Sequence, residues 1–96
     1  MRKLERLRQK RGDIYRIAQR HNAHKVYVFG SCASQEETSG SDIDFLVEFN
    51  NATLFDHVRL EQELAEYLQS PVDVVSLLAL GQDAFAATVK QEMVLL

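Results

Sequence analysis

The chain has 96 residues, of which 46% are hydrophobic and 26% charged, with a formal net charge of −3 and a single cysteine. This length fits one domain and the composition is that of an ordinary globular protein, while one cysteine excludes an internal disulfide and a cysteine-based zinc site. No apolar run approaches the ~20 residues of a membrane span and no secretory signal opens the chain, so we expect a cytoplasmic protein without a membrane partner.

The first 25 residues are strongly basic. They contain nine of the eleven Lys and Arg residues but only two of the fourteen acidic residues. Apolar residues at helical spacing predict one helix over residues 3–21, which Gly12 weakens by about 1 kcal/mol relative to Ala. We interpret the basic surface as a solvated helix face packed on an acidic body. The alternative is a docking surface for RNA, a nucleotide tail or an acidic protein.

Two short apolar runs follow, separated by a polar loop. Residues 26–29 predict a first strand, apolar enough to be covered on both faces, and residues 42–49 predict a second strand. Between them, Gly30 and Ser31 begin a loop of the kind that approaches phosphates, with a short helix or turn expected over residues 31–38. His21 and His24, just before the first strand, are interpreted as boundary residues rather than metal ligands.

Two aspartates share one face of the second predicted strand. Asp42 and Asp44 are one residue apart, so their side chains point the same way, while Ile43 and Phe45 point the other way. Aspartate is depleted from strands, and two neighbouring carboxylates repel each other unless they are protonated or bridged by a cation. Because hard oxygen ligands suit magnesium, the pair predicts a Mg²⁺ site.

The next element is a predicted helix over residues 54–69, capped by residues 50–53 and ended by Ser70-Pro71. Its apolar residues follow two neighbouring tracks, which begin at Leu54 and Phe55. Its solvated side is expected to carry three glutamates, Glu61, Glu63 and Glu66.

The last third of the chain predicts a strand, a helix and an apolar end. Residues 72–75 form the third predicted strand. Like the second strand, it contains an aspartate, Asp73, between apolar residues. A last helix is expected over residues 82–92. Residues 93–96 are either a final strand, a packed tail or an apolar patch that docks a partner.

The chain has Gly30-Ser31, then Asp42-x-Asp44 after ten further residues, and later Asp73. This order of residues resembles the nucleotidyltransferase superfamily of DNA polymerase beta. More narrowly, it resembles the minimal nucleotidyltransferases (MNT proteins) of prokaryotes. The resemblance covers nearly the whole chain. It implies one nucleotidyltransferase domain over residues 1–96, with an α/β fold in which helices flank a small mixed sheet of three to four strands. The chain departs from the family at Cys32, where a basic residue is frequent, and around Gln35, where a glycine or small residue is frequent.

The resemblance also implies roles for the residues. Asp42 and Asp44 would hold two Mg²⁺ ions, and Asp73 would hold the ion beside the attacking hydroxyl and help to deprotonate it. Gly30 would let the backbone approach the triphosphate of ATP, and Ser31 would offer a hydroxyl and an N–H group at a helix start.

MNT proteins are often encoded beside a helical HEPN-type partner, and their better-supported role there is that of an antitoxin that transfers AMP to a tyrosine hydroxyl of the HEPN ribonuclease. The resemblance therefore implies a magnesium-dependent adenylyl transfer from a nucleoside triphosphate to a partner protein, with nucleic acid not expected as the direct substrate. Two alternatives stay open. One is a binding antitoxin that occludes its partner with little or no catalysis. The other is a small-molecule nucleotidyltransferase, which the lack of an acceptor-binding domain disfavours.

Overall fold

A computed structural model describes residues 3–30 and 43–96 of the chain. The expected turn over residues 31–38, which includes Ser31, Cys32 and Gln35, lies outside these described residues, and so does Asp42. In chain order the elements are α1 Lys3–Gln9, α2 Arg11–Arg20, β1 Ala23–Phe29, β2 Ile43–Phe49, α3 Leu54–Leu68, β3 Val72–Ser76, a 3-10 turn Leu77–Ala79, α4 Ala84–Glu92 and β4 Val94–Leu95.

The four strands form one mixed sheet in the order β3-β2-β1-β4. β1 pairs antiparallel with β2 and with β4, whereas β2 pairs parallel with β3. The predicted mixed sheet of three to four strands with flanking helices is confirmed. The apolar end forms a short final strand, one of the alternatives that the sequence left open.

One face of the sheet carries the main hydrophobic core. The residues of β2 that face this core, Ile43, Phe45 and Val47, are at most 5% exposed, as the alternating pattern predicts. They pack against apolar residues of α1, α2 and α3. The contributing helix residues include Leu4, Leu7, Ile14, Ile17, Leu60, Leu64 and Leu68.

The opposite face of the sheet carries a smaller apolar cluster. Phe29 of β1, Leu46 of β2 and Val89 of α4 are buried together there. This cluster covers the middle of the sheet, so β1 is covered on both faces, as its apolar sequence predicts. No helix within the described ranges is both long and apolar enough to cross a membrane.

The expected single helix over residues 3–21 is wrong in one respect, because the chain forms two helices with an interruption at Lys10. The Lys10 N–H is shared between the carbonyl oxygens of Arg6 at 3.2 Å and Leu7 at 3.1 Å. Such bifurcated bonds are common where a helix ends. Gly12 lies inside α2, where the helix tolerates it.

Glu63, on the solvated side of α3, makes two contacts that the sequence did not predict. Its Oε1 lies 2.7 Å from Nε2 of His21, and its Oε2 accepts a hydrogen bond from Nη2 of Arg20 at 3.0 Å. His21 is 8% exposed, so this contact joins the end of α2 to the middle of α3. Local spacing could not show this, because the three residues meet only when the helices pack.

The residues at the start of the two apolar tracks of α3 are exposed. Leu54 is 79% exposed and Phe55 is 75% exposed, whereas Leu60 and Leu64 are fully buried. Because 3.6 residues make one helical turn, Phe55 lies about 180° around the helix from Leu64. The first turn of α3 therefore presents apolar side chains outward.

Candidate active site

Two aspartates lie side by side at the end of the sheet where β2 and β3 begin, which we call the carboxylate edge. The parallel register of β2 and β3 pairs Asp44 directly with Asp73. Each is the second residue of its strand and stands between buried hydrophobic residues, so both carboxylates lie on the face opposite the main core. Neighbouring strands are about 4.8 Å apart. The sheet therefore holds two carboxylates as rigid neighbours, with Asp44 half-buried and Asp73 exposed.

Gly30 brings a third strand end to this edge. It follows directly after Phe29, which pairs with Asp44 across β1 and β2, and its φ is +72°. A Cβ atom placed on Gly30 would lie 2.5 Å from Oδ2 of Asp44. Only glycine allows the Asp44 carboxylate to lie this close to the backbone, and the positive φ also favours glycine.

The structure thus brings together three of the five predicted site residues, Gly30, Asp44 and Asp73. The other two, Ser31 and Asp42, lie outside the described residues and stay predictions. Within residues 3–30 and 43–96, no group of three or more His, Cys, Asp or Glu side chains is placed to hold a metal ion. The described part of the site therefore offers two carboxylates.

The carboxylate pair has the chemistry that a magnesium ion needs. Both donors are carboxylate oxygens, held by paired strands rather than by a loop. Mg²⁺ is commonly bound by one or two carboxylates, with waters and substrate phosphates as its other ligands. The exposure of Asp73 leaves room for such ligands beside it.

A small basic recess lies at the same end of β2, but on the core face of the sheet and thus opposite to the carboxylates. Its volume is about 30 Å³, and Arg6 of α1 and Lys10, which lies between α1 and α2, line it together with the first residue of β2. The sequence predicts a solvated face for this basic helix. The lining residues are Arg6, Leu7, Lys10, Ile43, Leu68 and Ser70.

A larger open cleft of about 480 Å³ lies at the other ends of β2 and β3. None of the described residues that line it is a carboxylate. His57 lies 2.7 Å through Nε2 from the carbonyl oxygen of Val74, and Leu78 is 82% exposed at the rim. Because the carboxylate pair stands at the starts of these strands, the cleft is separate from it. Its lining is Phe49, Asn51, Ala52, Thr53, Leu54, His57, Ser76 and Leu78.

Comparisons with known proteins identify relatives of the chain. The family model described as Polymerase beta, Nucleotidyltransferase matches residues 13–96. A protein of Methanocaldococcus jannaschii, provisionally named a protein adenylyltransferase, is 44% identical over 64 residues, which are 66% of this chain and 69% of that protein.

Solved structures share the fold. One described provisionally as a minimal nucleotidyltransferase has a TM-score of 0.84 at 39% identity, and the match covers 100% of this chain and 97% of that chain. Another contains the tri-AMPylated HEPN toxin of Shewanella oneidensis in complex with an MNT antitoxin. It has a TM-score of 0.67 at 22% identity, over 92% of this chain and 69% of that chain, and shows a likeness of fold alone.

Proposed function

The chain belongs to the polymerase beta nucleotidyltransferase family and is a nucleotidyltransferase, and we propose that it transfers AMP from ATP to a hydroxyl group of a helical, HEPN-type partner protein with the help of Mg²⁺. The observation that carries the proposal is the register that sets Asp44 beside Asp73, with Gly30 against Asp44. The name of the Methanocaldococcus relative and the AMPylated toxin in the Shewanella complex support the choice of AMP and of a protein acceptor.

In the proposed reaction the acceptor hydroxyl oxygen attacks the α-phosphorus of ATP. A new oxygen–phosphorus bond forms, the bond to the β-phosphate oxygen breaks, and pyrophosphate leaves. Bound Mg²⁺ would supply charge neutralisation at the attacking and leaving oxygens. Asp44 and Asp73 would hold it, and the predicted third carboxylate is Asp42.

The protein's own residues have distinct parts in this reaction. Asp73 is exposed at the start of β3, so we assign it to the acceptor side, where its carboxylate can receive the hydroxyl proton. Asp44 is half-buried and held against Gly30, so its position is the more rigid of the two. A glycine at position 30 also leaves the backbone open to the triphosphate.

The antitoxin role follows from the same proposal. Addition of AMP to a hydroxyl of a HEPN ribonuclease would place a bulky anion on the toxin and silence it. The alternative is a protein that silences its partner by covering it. The apolar side chains exposed on the first turn of α3 favour a protein interface under either alternative.

Label transfer separates the two functions. The protein is incubated with Mg²⁺, α-labelled ATP and the purified neighbouring gene product, and products are resolved on a denaturing gel. We expect label on the partner, abolished by Asp44→Asn and retained by Glu66→Gln, which removes one charge from an exposed position of α3 on the opposite face of the sheet. A stable complex that acquires no label with any of the four nucleotides would support covering of the partner instead.

A further inference from the structure

Exposed apolar side chains are concentrated at the end of the sheet opposite to the carboxylate edge. Leu54 of α3 and Leu78 of the 3-10 turn, which are 79% and 82% exposed, line the open cleft there. Phe55 and Val58, which are 75% and 45% exposed, follow on the first two turns of α3. These are four of the six large hydrophobic side chains that are exposed in the described ranges. Such a concentration marks an interaction surface.

Hydrogen bonds hold the walls of the cleft in place. Nε2 of His57 donates to the carbonyl oxygen of Val74 at 2.7 Å, which ties α3 to β3, and the His57 ring lies 5.5 Å from the ring of Phe49. Oδ2 of Asp56 accepts a hydrogen bond from Nδ2 of Asn22 at 3.1 Å, which ties the first turn of α3 to the turn before β1. Because the surface is already ordered, a partner that binds it loses little conformational entropy there.

The lining of the cleft and the charge around it define the chemistry of an occupant. The described lining residues include no Asp, Glu, Lys or Arg, so the side chains that fill the cleft should be apolar. Residues 26–96 contain twelve of the fourteen acidic residues but only two of the eleven Lys and Arg residues. Two copies of the chain joined through their clefts would bring two acidic bodies together, whereas a basic protein would be attracted. The charge therefore favours a different, basic protein over a second copy.

The cleft lies apart from the carboxylates. Phe49 is the fifth residue along β2 after Asp44, which corresponds to about 17 Å of strand. A protein held in the cleft therefore leaves the carboxylate edge open to a nucleotide and to a hydroxyl group of the same protein. Binding at such a distance raises the local concentration of the acceptor hydroxyl without taking part in the chemistry.

We propose that the open cleft is the docking site of the partner protein, which inserts the apolar side chains of an amphipathic helix between Leu54 and Leu78 and places basic side chains on either side. A helix fits such a groove because its apolar side chains recur along one face every three or four residues. This inference rests on the proposed function, because it takes the helical protein that receives AMP as the occupant.

The test is binding of the purified neighbouring gene product to the whole chain, measured by calorimetry without nucleotide. Leu54→Ser and Leu78→Ser should each weaken the Kd about tenfold or more, because each removes an apolar side chain that binding would bury. The matched control is Leu95→Ser on the edge strand β4, which is 53% exposed and should change the Kd by less than about threefold. All three variants should keep the parent's urea midpoint, since the positions are exposed.

The kinetics of transfer and the effect of salt give two further readouts. In Leu54→Ser the KM for the partner should rise by the same factor as the Kd, while kcat at saturating partner should fall by less than about threefold. The reason is that the cleft holds the partner equally in the ground state and in the transition state. Added salt should weaken binding to the parent, because basic side chains of the partner face an acidic surface.

Three results would overturn the inference. Unchanged Kd values for both cleft variants would mean that the partner binds elsewhere, and equal weakening by Leu95→Ser would mean that only the overall apolarity of the surface matters. A parent dimer that Leu54→Ser converts to a monomer, with an unchanged Kd for the partner, would assign the cleft to a second copy of the chain. Because binding is measured without nucleotide, each result is distinguishable from a failure of AMP transfer, which the Asp44→Asn gel assay reports separately.

Discussion

The two faces of the sheet differ in what their side chains do. On the face that packs against α1, α2 and α3, β2 contributes Ile43, Phe45 and Val47 to the core. On the other face the same strand begins with Asp44, and β3 begins with Asp73 in register beside it. One residue along a strand therefore separates a core side chain from one that we propose for the active site, and substitutions at neighbouring positions should separate stability from activity.

The largest effect should come from the core face. Phe45 is fully buried, and Phe45→Ala should lower the free energy of unfolding by about 3–5 kcal/mol, a large part of the 5–15 kcal/mol typical of a small domain. Urea unfolding followed by circular dichroism measures this. The matched change on the other face, Asp73→Asn at an exposed position, should stay within about 0.5 kcal/mol of the parent. Similar losses for both variants would contradict the division between the faces.

Gly30→Ala should lower both the stability of the fold and the rate of AMP transfer. The positive φ of +72° costs a residue with a Cβ about 1–2 kcal/mol, and the new methyl group collides with the Asp44 carboxylate. We expect a moderate loss of stability with a near-complete loss of label transfer. A variant that keeps the parent's transfer rate would show that the contact between Gly30 and Asp44 is not needed.

A smaller effect is expected at the other end of the strands. The Thr53 hydroxyl caps α3 by accepting the Asp56 N–H, and Oδ2 of Asp56 accepts the Thr53 N–H at 2.9 Å. Thr53→Ala should cost about 1 kcal/mol in urea unfolding and leave the transfer rate unchanged. A strong loss of transfer by this folded variant would show that transfer depends on the first turn of α3, where exposed apolar side chains favour a protein interface.

The smallest expected effect is a change in how the free energy of unfolding depends on pH. Hydrogen bonds from the Thr53 backbone and then the Asn22 side chain lower the pKa of Asp56 in the folded state. Asp56 therefore stabilises the fold above its unfolded pKa of about 3.9, and this contribution is lost as the pH falls through the lower folded value. In urea titrations, Asp56→Asn should be less stable than the parent at pH 7, and the difference should narrow below about pH 4. A gap that is constant with pH would contradict this role.

Local patterns predicted much of this structure because they report local physics. Alternation placed the apolar and acidic sides of β2 correctly, and the start of α3 follows the capping signal before Leu54. The sequence also singled out Asp73 as an aspartate out of place in an apolar strand. Its position beside Asp44 depends on the parallel register of two strands that are separated by a whole helix.

The features that the sequence did not reveal depend on tertiary packing. Glu63 has the spacing of a solvated residue, and its contacts with Arg20 and His21 exist only because α2 packs on α3. The interruption at Lys10 likewise places α1 against the start of β2. The close approach of Gly30 to Asp44 joins residues from two strands, so a local turn signal could not predict it.

The central claim is that the carboxylates at the start of β2 and β3 perform the transfer reaction. Its most direct test is the initial rate of AMP transfer to the partner protein by Asp73→Asn, with Glu66→Gln on the opposite face as the matched control. We predict that Asp73→Asn lowers the rate about 10³-fold while its urea midpoint stays that of the parent, and that Glu66→Gln keeps the parent rate. A folded Asp73→Asn variant that transfers AMP as fast as the parent would contradict the claim.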